Sequence, residues 1–172
     1  MFESILRAAE QGDINAQYQI AYCYRFGIEV DQDHKQEAIW LQKAAERGHM
    51  VAQYDLAVSF DVGEGVPQDY KKAFLWYRRA AEQGSVEAQA HLGQCYTIGR
   101  GVQPDYGQAI IWYRKAAENG HAYSQTQLGL YYAAGLGVPR DVMQAVYWCR
   151  KAAQQGHAQA FEVLEKLGVS PW

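Results

Sequence analysis

Three histidines, His49, His121 and His157, each follow a glycine and recur at a fixed spacing, so the first chemistry the sequence raises is a ladder of metal ligands. Zinc takes nitrogen ligands at about 2.0–2.1 Å, whereas packed helices stand about 8–10 Å apart. Histidines one structural unit apart therefore cannot share an ion. Asp13 and Ser85 fill the same position elsewhere, and a place at helix starts accounts for all five residues. The carboxylate pairs Asp31/Asp33 and Asp61/Glu64 have the composition for acid–base work, but no Ser, Cys or His stands near them at a recognisable catalytic spacing. Gly-x-Gly turns such as Gly63-Glu64-Gly65 lack the preceding strand, the third glycine and the Gly-Lys-Ser/Thr ending of phosphate loops. Cys23, Cys95 and Cys149 are odd in number, with Cys23 and Cys95 at one repeat position, and read as buried thiols rather than a disulfide framework. The expectation is a non-enzymatic chain with no catalytic residue, no cofactor and no metal.

Composition narrows the partner. Of 172 residues 49% are hydrophobic and 20% charged, which argues against disorder. The net charge is −3 with both signs interspersed, so no basic stripe is present for nucleic acid. No stretch approaches the roughly 18 apolar residues of a membrane span, and the start, Met1 to Arg7, lacks a basic region followed by an apolar one. A monomer without membrane insertion is expected, cytoplasmic, or periplasmic or secreted if a longer precursor was trimmed.

Any functional residue must be held by a repeating scaffold. An Ala-Ala pair followed by a glycine three residues on recurs every 36 residues, at Ala8, Ala44, Ala80, Ala116 and Ala152. Trp40, Trp76, Trp112 and Trp148 keep the same period, as do Tyr24, Phe60, Tyr96 and Tyr132, and Ile20, Leu56, Leu92, Leu128 and Leu164. Apolar positions return at three and four residues, so each unit reads as two helices. In the first helix Ala16, Ile20 and Tyr24 form the packing stripe, flanked by Gln17 and Ala21. Glycine-rich turns such as residues 63–67 end it. The second helix opens at Asp33, Asp69, Asp105 or Asp141, with Gln36, Gln108 and Gln144 at capping-box spacing in three units. Trp, the residue after it and the Ala pair should line the inner face. The first turn, Gly27 to Asp31, lacks the second glycine and the proline and should be looser or differently aimed.

A lone hairpin cannot bury its apolar face, so successive hairpins should stack. The expected organisation is a single all-α solenoid domain: a cap helix at 1–12, repeats at 13–48, 49–84, 85–120 and 121–156, and a capping helix and tail at 157–172. Glu162, Glu165 and Lys166 give the last helix a polar outer face.

Residues 63–73, with Trp76-Tyr77-Arg78-Arg79-Ala80-Ala81-Glu82-Gln83-Gly84, closely resemble the Sel-one-like repeat, a relative of tetratricopeptide repeats. The resemblance spans essentially the whole chain. It implies a right-handed α/α superhelical solenoid of stacked antiparallel helix hairpins, and an adaptor role in protein complexes, including bacterial envelope, secretion and host-interaction roles. Some secreted relatives pair cysteines within each repeat, a pattern this chain lacks.

Recurring columns explain the fold, so partner recognition should sit in columns that vary and point away from the stripe. At about 100° per residue from Ile20, the far side of the first helix carries Asn15, Tyr18, Tyr22 and Phe26, with Arg25 beside them. Steps of one repeat give Val51, Tyr54, Val58, Asp61 and Val62; Glu87, Ala90, Gln94, Thr97 and Ile98; Tyr123, Thr126, Leu130, Ala133 and Ala134. Related tetratricopeptide solenoids line their concave groove with this face, as the resemblance implies. The candidate contacts to a protein or peptide partner are Tyr18, Tyr22, Arg25, Tyr54, Val58, Asp61, Glu87, Gln94, Thr97, Tyr123 and Leu130. A narrower alternative is an immunity or chaperone-like protein for a bacterial toxin or effector. Others are a hydrolase of cell-envelope or β-lactam compounds, which lacks a visible nucleophile and base, and a self-assembling structural solenoid.

Overall fold

An aspartate opens each full second helix. In the computed structural model, which describes residues 1–171, Asp33 Oδ1 accepts from the N–H groups of Lys35 and Gln36 at 2.8 and 3.1 Å. Asp69 accepts from Lys71 and Lys72 at 3.0 and 3.1 Å, and Asp105 and Asp141 accept from Gln108 and Gln144 at 3.0 Å. These bonds cover first-turn donors that have no partner within a helix. The reciprocal half of a capping box is replaced. The N–H groups of Asp33, Asp69, Asp105 and Asp141 donate to the carbonyls of Tyr24, Phe60, Tyr96 and Tyr132 at 2.9–3.0 Å. The start of each second helix is thereby fastened to the end of the first, and the glutamines are not needed for it.

Ten helices result among the described residues, and no strand: α1 (Phe2–Glu10), α2 (Ile14–Phe26), α3 (His34–Glu46), α4 (Met50–Val62), α5 (Tyr70–Glu82), α6 (Val86–Ile98), α7 (Tyr106–Glu118), α8 (Ala122–Ala134), α9 (Val142–Gln154) and α10 (Ala158–Lys166). They form the all-α solenoid architecture of stacked helix hairpins. The chain divides into two compact units, Met1–Ser85 and the part beginning at Val86. In the first, α2 and α3 form one hairpin, α4 and α5 another, α3 packs on α4, and α1 covers α2. In the second, α6/α7 and α8/α9 are the hairpins, α7 packs on α8, and α10 closes on α9 and α8.

The Ile20, Leu56, Leu92, Leu128 and Leu164 column is at most 1% exposed, as the period requires. Beside it run Ala21, Ala57, Gly93 and Gly129, where the first helix meets its hairpin partner. A Cβ on Gly93 would stand 2.7 Å from the Tyr113 ring, and one on Gly129 would stand 2.2 Å from Cys149 Sγ. Depth on the second helix belongs to the residue after the tryptophan: Leu41, Tyr77, Tyr113 and Cys149 are at most 1% exposed. Trp40, Trp112 and Trp148 are buried at 7–9% exposure, whereas Trp76 is only half-buried. The ring is shielded by a cation three residues on: Lys43 lies 3.6 Å from the Trp40 centroid, Arg79 4.5 Å from Trp76 and Lys115 4.1 Å from Trp112.

The first turn is not looser than the others. Glu29 adopts φ 58°, beside 71°, 74° and 68° at Gly65, Gly101 and Gly137. Glycine is needed at Gly65 because a Cβ there would come within 2.0 Å of the His34 carbonyl oxygen at the start of α3. At the matching place in the first turn Glu29 takes the left-handed conformation with a side chain. Its carboxylate accepts from Phe2 N–H at 2.8 Å and lies 3.3 Å from the amino terminus.

Tyr113→Ala should cost about 3–5 kcal/mol through the cavity it opens. Trp76→Ala should cost less, about 1–3 kcal/mol, because part of that ring is already in water. Guanidinium unfolding checks the order, and a larger loss at Trp76 would contradict it.

Candidate partner-binding surface

The outward face of the first helices divides into a covered part and an open part. In the first unit Tyr18 is half-buried, stacks on His49 at 4.6 Å between ring centroids, and donates its hydroxyl to Asp55 Oδ2 at 3.2 Å. Burial and the neighbouring Asp55 carboxylate push its pKa up to about 12. Tyr54 is half-buried, with its ring 6.0 Å from Tyr77. The column continues in the second unit with Ala90, 5% exposed, and Thr126, 0% exposed. Thr126 Oγ1 hydrogen-bonds His157 Nδ1 at 2.9 Å. Tyr18 and Thr126 are turned toward the helix one repeat on, Tyr54 toward its hairpin partner, and the column is largely spent on packing.

One turn further along, Tyr22 is 46% exposed and packs on Phe26, itself 57% exposed, at 4.5 Å between centroids. Val62 and Ile98, at the Phe26 position of later repeats, are 59% and 53% exposed. Val58, Asp61, Gln94 and Leu130 are half-buried, and Glu87 is exposed. Leu130 also packs against the cluster of Cys149, Ala153 and Leu164. Thr97 Oγ1 bonds to the Gly93 carbonyl at 2.9 Å, the Tyr131 hydroxyl at 2.6 Å and the Tyr113 hydroxyl at 3.4 Å. Tyr123 stands edge-on to Tyr113 at 6.2 Å and to His121 and His157 at 6.3 Å.

Arg25 has partners within the chain. Its Nε donates to Glu37 Oε1 at 2.5 Å and its terminal Nη1 lies 3.1 Å from Asp55 Oδ2. Glu37 Oε2 meets His34 Nδ1 at 2.7 Å, and His34 Nε2 lies 3.5 Å from Glu64. Glu37 and Asp55 are 4% and 9% exposed. Burial raises the Asp55 carboxyl above its ordinary range while Arg25 pulls it down. Neither Glu37 nor Asp55 is among the contacts expected from the sequence. The sequence does mark Glu37, a glutamate in a column that is otherwise Ala73, Ala109 and Ala145.

Two of the histidines after glycine cap helices with their rings. His49 Nδ1 accepts from Ala52 N–H at 3.1 Å and His121 Nδ1 accepts from Ser124 N–H at 3.3 Å, as Asp13 accepts from Ala16 at 2.8 Å. His157 makes no such bond and serves Thr126. Among the described residues no group of three or more His, Cys, Asp or Glu side chains could hold a metal ion. Among the described residues no helix is long and apolar enough to cross a membrane. The three thiols are buried, and burial pushes Cys149 up to about 11.

The Sel1 repeat model matches residues 14–49, 51–85, 86–121 and 122–157. The chain is similar to a protective antigen of uropathogenic Escherichia coli with an SLR fold, at 38% identity and a TM-score of 0.91; the match covers 98% of this chain but 37% of that one. A Sel1 repeat protein from Oxalobacter formigenes is 34% identical with a TM-score of 0.90, over 99% of this chain and 72% of that one. An immunity protein from Pseudomonas aeruginosa shares the fold at 22% identity and a TM-score of 0.52, over 92% and 59%. No curated protein matches the chain.

Arg25→Met leaves two buried carboxylates without their cation and should destabilise the first unit by about 3–5 kcal/mol. Adding Glu37→Ala, the residue of the other repeats, should recover part of that loss. A double-mutant cycle by chemical unfolding tests the coupling, and strict additivity would contradict it.

Burial, the leading cause, lowers the pKa of His49 and His121 below 6.5. The folded state prefers the neutral rings that accept the cap bonds. Their contribution is present above the unfolded value, about 6.5, and is lost as pH falls through the lower folded value. Asp55, raised by burial, acts in the opposite sense nearer the carboxylate range. Acidification from about pH 7.5 to about pH 5.5 should therefore lower the melting temperature. The drop should shrink in His49→Asn/His121→Asn, where Asn caps without titrating; an equal drop contradicts the assignment.

Proposed function

Because the chain belongs to the Sel1 repeat family, whose proteins generally mediate protein–protein interaction, we propose that it is a non-enzymatic scaffold holding a protein or peptide partner on its first-helix face. The observation that carries this reading is the pair Tyr22 and Phe26, two adjoining aromatics with about half of each ring in water on an otherwise well-filled helix. Aromatic side chains held against a rigid helix lose little entropy on contact and dominate interface energetics. Val58 and Asp61 hold half-buried positions of the same face on α4 in the first unit, and Gln94 and Leu130 hold the corresponding positions on α6 and α8 in the second. Tyr18, Arg25, Tyr54 and Thr97 have intramolecular partners, so their part is to hold this surface rather than to anchor a ligand.

The chain spans 37% of the length of the Escherichia coli antigen it resembles, so that protein's role does not transfer to it. The immunity reading concerns the same face, but 22% identity to the Pseudomonas protein supports a common architecture and nothing more specific.

Tyr22→Ala/Phe26→Ala should weaken binding of a partner captured by affinity purification by at least about tenfold, or 1.4 kcal/mol. Global stability should stay within about 0.5 kcal/mol of the parent. Titration by calorimetry against the purified partner decides it, and unchanged affinity removes the first-helix assignment.

A further inference from the structure

The four helices that close the hairpins, α3, α5, α7 and α9, carry ten of the sixteen Lys and Arg residues but four of the nineteen acids. One of those four, Glu37, is buried against Arg25. A chain with net charge −3 therefore presents cations on its second helices. These helices also expose an apolar side chain at one repeat position: Ile39, Leu75, Ile111 and Tyr147 are 47–49% exposed.

In the second unit these features line two grooves. One, of about 380 Å³, runs along α7 and includes Ile110, Ile111, Arg114, Lys115 and Glu118. The other, of about 530 Å³, runs along α9 and includes Met143, Val146, Tyr147, Arg150 and Lys151. Most of the α7 positions recur in the α9 groove 36 residues later, so two equivalent sites stand one repeat apart. Each has an apolar floor and two neighbouring cations. Arg114 donates to the Tyr132 hydroxyl, and Arg150 donates to the Ser170 carbonyl at 3.0 and 3.2 Å. Lys115 lies over the Trp112 ring at 4.1 Å, and Lys151 lies by the Tyr147 and Trp148 rings at 4.8 and 5.5 Å. All these partners are neutral, and among the described residues none of the four cations pairs with a carboxylate.

We infer that α7 and α9 form a second docking surface, separate from the first-helix face, for an acidic segment of a partner protein that also carries apolar side chains. Its carboxylates meet Arg114, Lys115, Arg150 and Lys151, and its apolar groups settle on Ile111 and Tyr147. Charge complementarity gives such contacts speed and selectivity, and the apolar floors supply area to bury. A protein segment fits better than an anionic bilayer because Glu118 lines the α7 groove. A continuous negative surface would be repelled there, whereas a peptide can place its charges around it.

The test uses the full chain and fluorescein-labelled peptides of roughly a dozen residues, a length that crosses one helix surface. One set combines Glu with Leu in varied order, and a control set combines Lys with Leu. The Glu/Leu set should contain saturable binders by fluorescence anisotropy, weakened at high salt, while the Lys/Leu set should not bind. Arg114→Glu/Arg150→Glu should reduce affinity by at least about tenfold. Tyr22→Ala/Phe26→Ala should leave it unchanged, which separates this surface from the first-helix face. Circular dichroism verifies folding, and Ile111→Ser/Tyr147→Ser provides a second variant should the first be destabilised. Absence of binding by every Glu/Leu peptide overturns the inference. So does undiminished binding by both folded variants, or binding of phosphatidylserine vesicles with no peptide bound.

Discussion

A buried glutamine amide ties a hairpin to the helix before it, and the stacking depends on that bond. Gln17 Nε2 donates to the Ala9 carbonyl at 3.2 Å, and Gln53 and Gln125 donate to Ala45 and Ala117 at 3.0 Å. These side chains are 3–6% exposed. An amide inside an apolar stripe is costly without partners, and the last carbonyls of a helix have none within it. Both deficits are relieved only when the first helix of a hairpin lies at one register over the end of the preceding second helix. Gln83 and Gln155 complete the arrangement by donating to Gln53 and Gln125 Oε1 at 2.6 and 2.8 Å. In the first repeat that position is Arg47, which turns to the Gly12 carbonyl, and Gln17 Oε1 is left without a partner. A single departure from the repeat thus has a traceable local consequence.

Much of the architecture was legible because the columns that build it recur. Residue periodicity identifies a helix face, however, and not the depth of each residue on it. Trp76 belongs to a column whose other members are buried, yet its ring stays near the rim under Arg79, while Tyr77 goes deep. The capping-box spacing at Gln36, Gln108 and Gln144 misled for a related reason. The aspartate N–H groups were already claimed by carbonyls in the first helix, nine residues upstream. Glu29 shows the converse: a residue that looks wrong for its turn adopts the left-handed conformation of the later glycines and accepts a hydrogen bond from Phe2 N–H.

The candidate surface was less legible. Measuring angles from Ile20 treats the first helix as having one covered side, but beyond its hairpin partner and the second helix before it there is a second side contact, with the first helix of an adjacent repeat. Within each unit that second contact covers part of the opposite side, which is why Thr126 is fully buried and Tyr18 bonds to Asp55. Arg25 presented itself as an exposed charge at the end of α2, and only tertiary structure brings Glu37 and Asp55 to it. Glu37 was nonetheless visible as a charge in an alanine column. Variation between repeats therefore carries information on the inward face too, where an ionic group needs its partners nearby to be tolerated.

The two units treat one column of the second helices differently. The residue before Lys43, Arg79, Lys115 or Lys151 does not sit on the tryptophan, so ring packing does not dictate its identity. In the first unit it is satisfied within its own helix: Gln42 donates to Glu46 at 2.8 Å and Arg78 lies 3.6 Å from Glu82. In the second unit Arg114 turns to a tyrosine hydroxyl although Glu118 stands one turn on, and Arg150 has Gln154 in that place. Surface ion pairs contribute little to stability, so a fold of this kind has little energetic reason to hold these arginines in one arrangement. The scaffold columns leave such positions free to differ from repeat to repeat, and differences between copies of one structural unit are where a repeat protein can record recognition without disturbing its core.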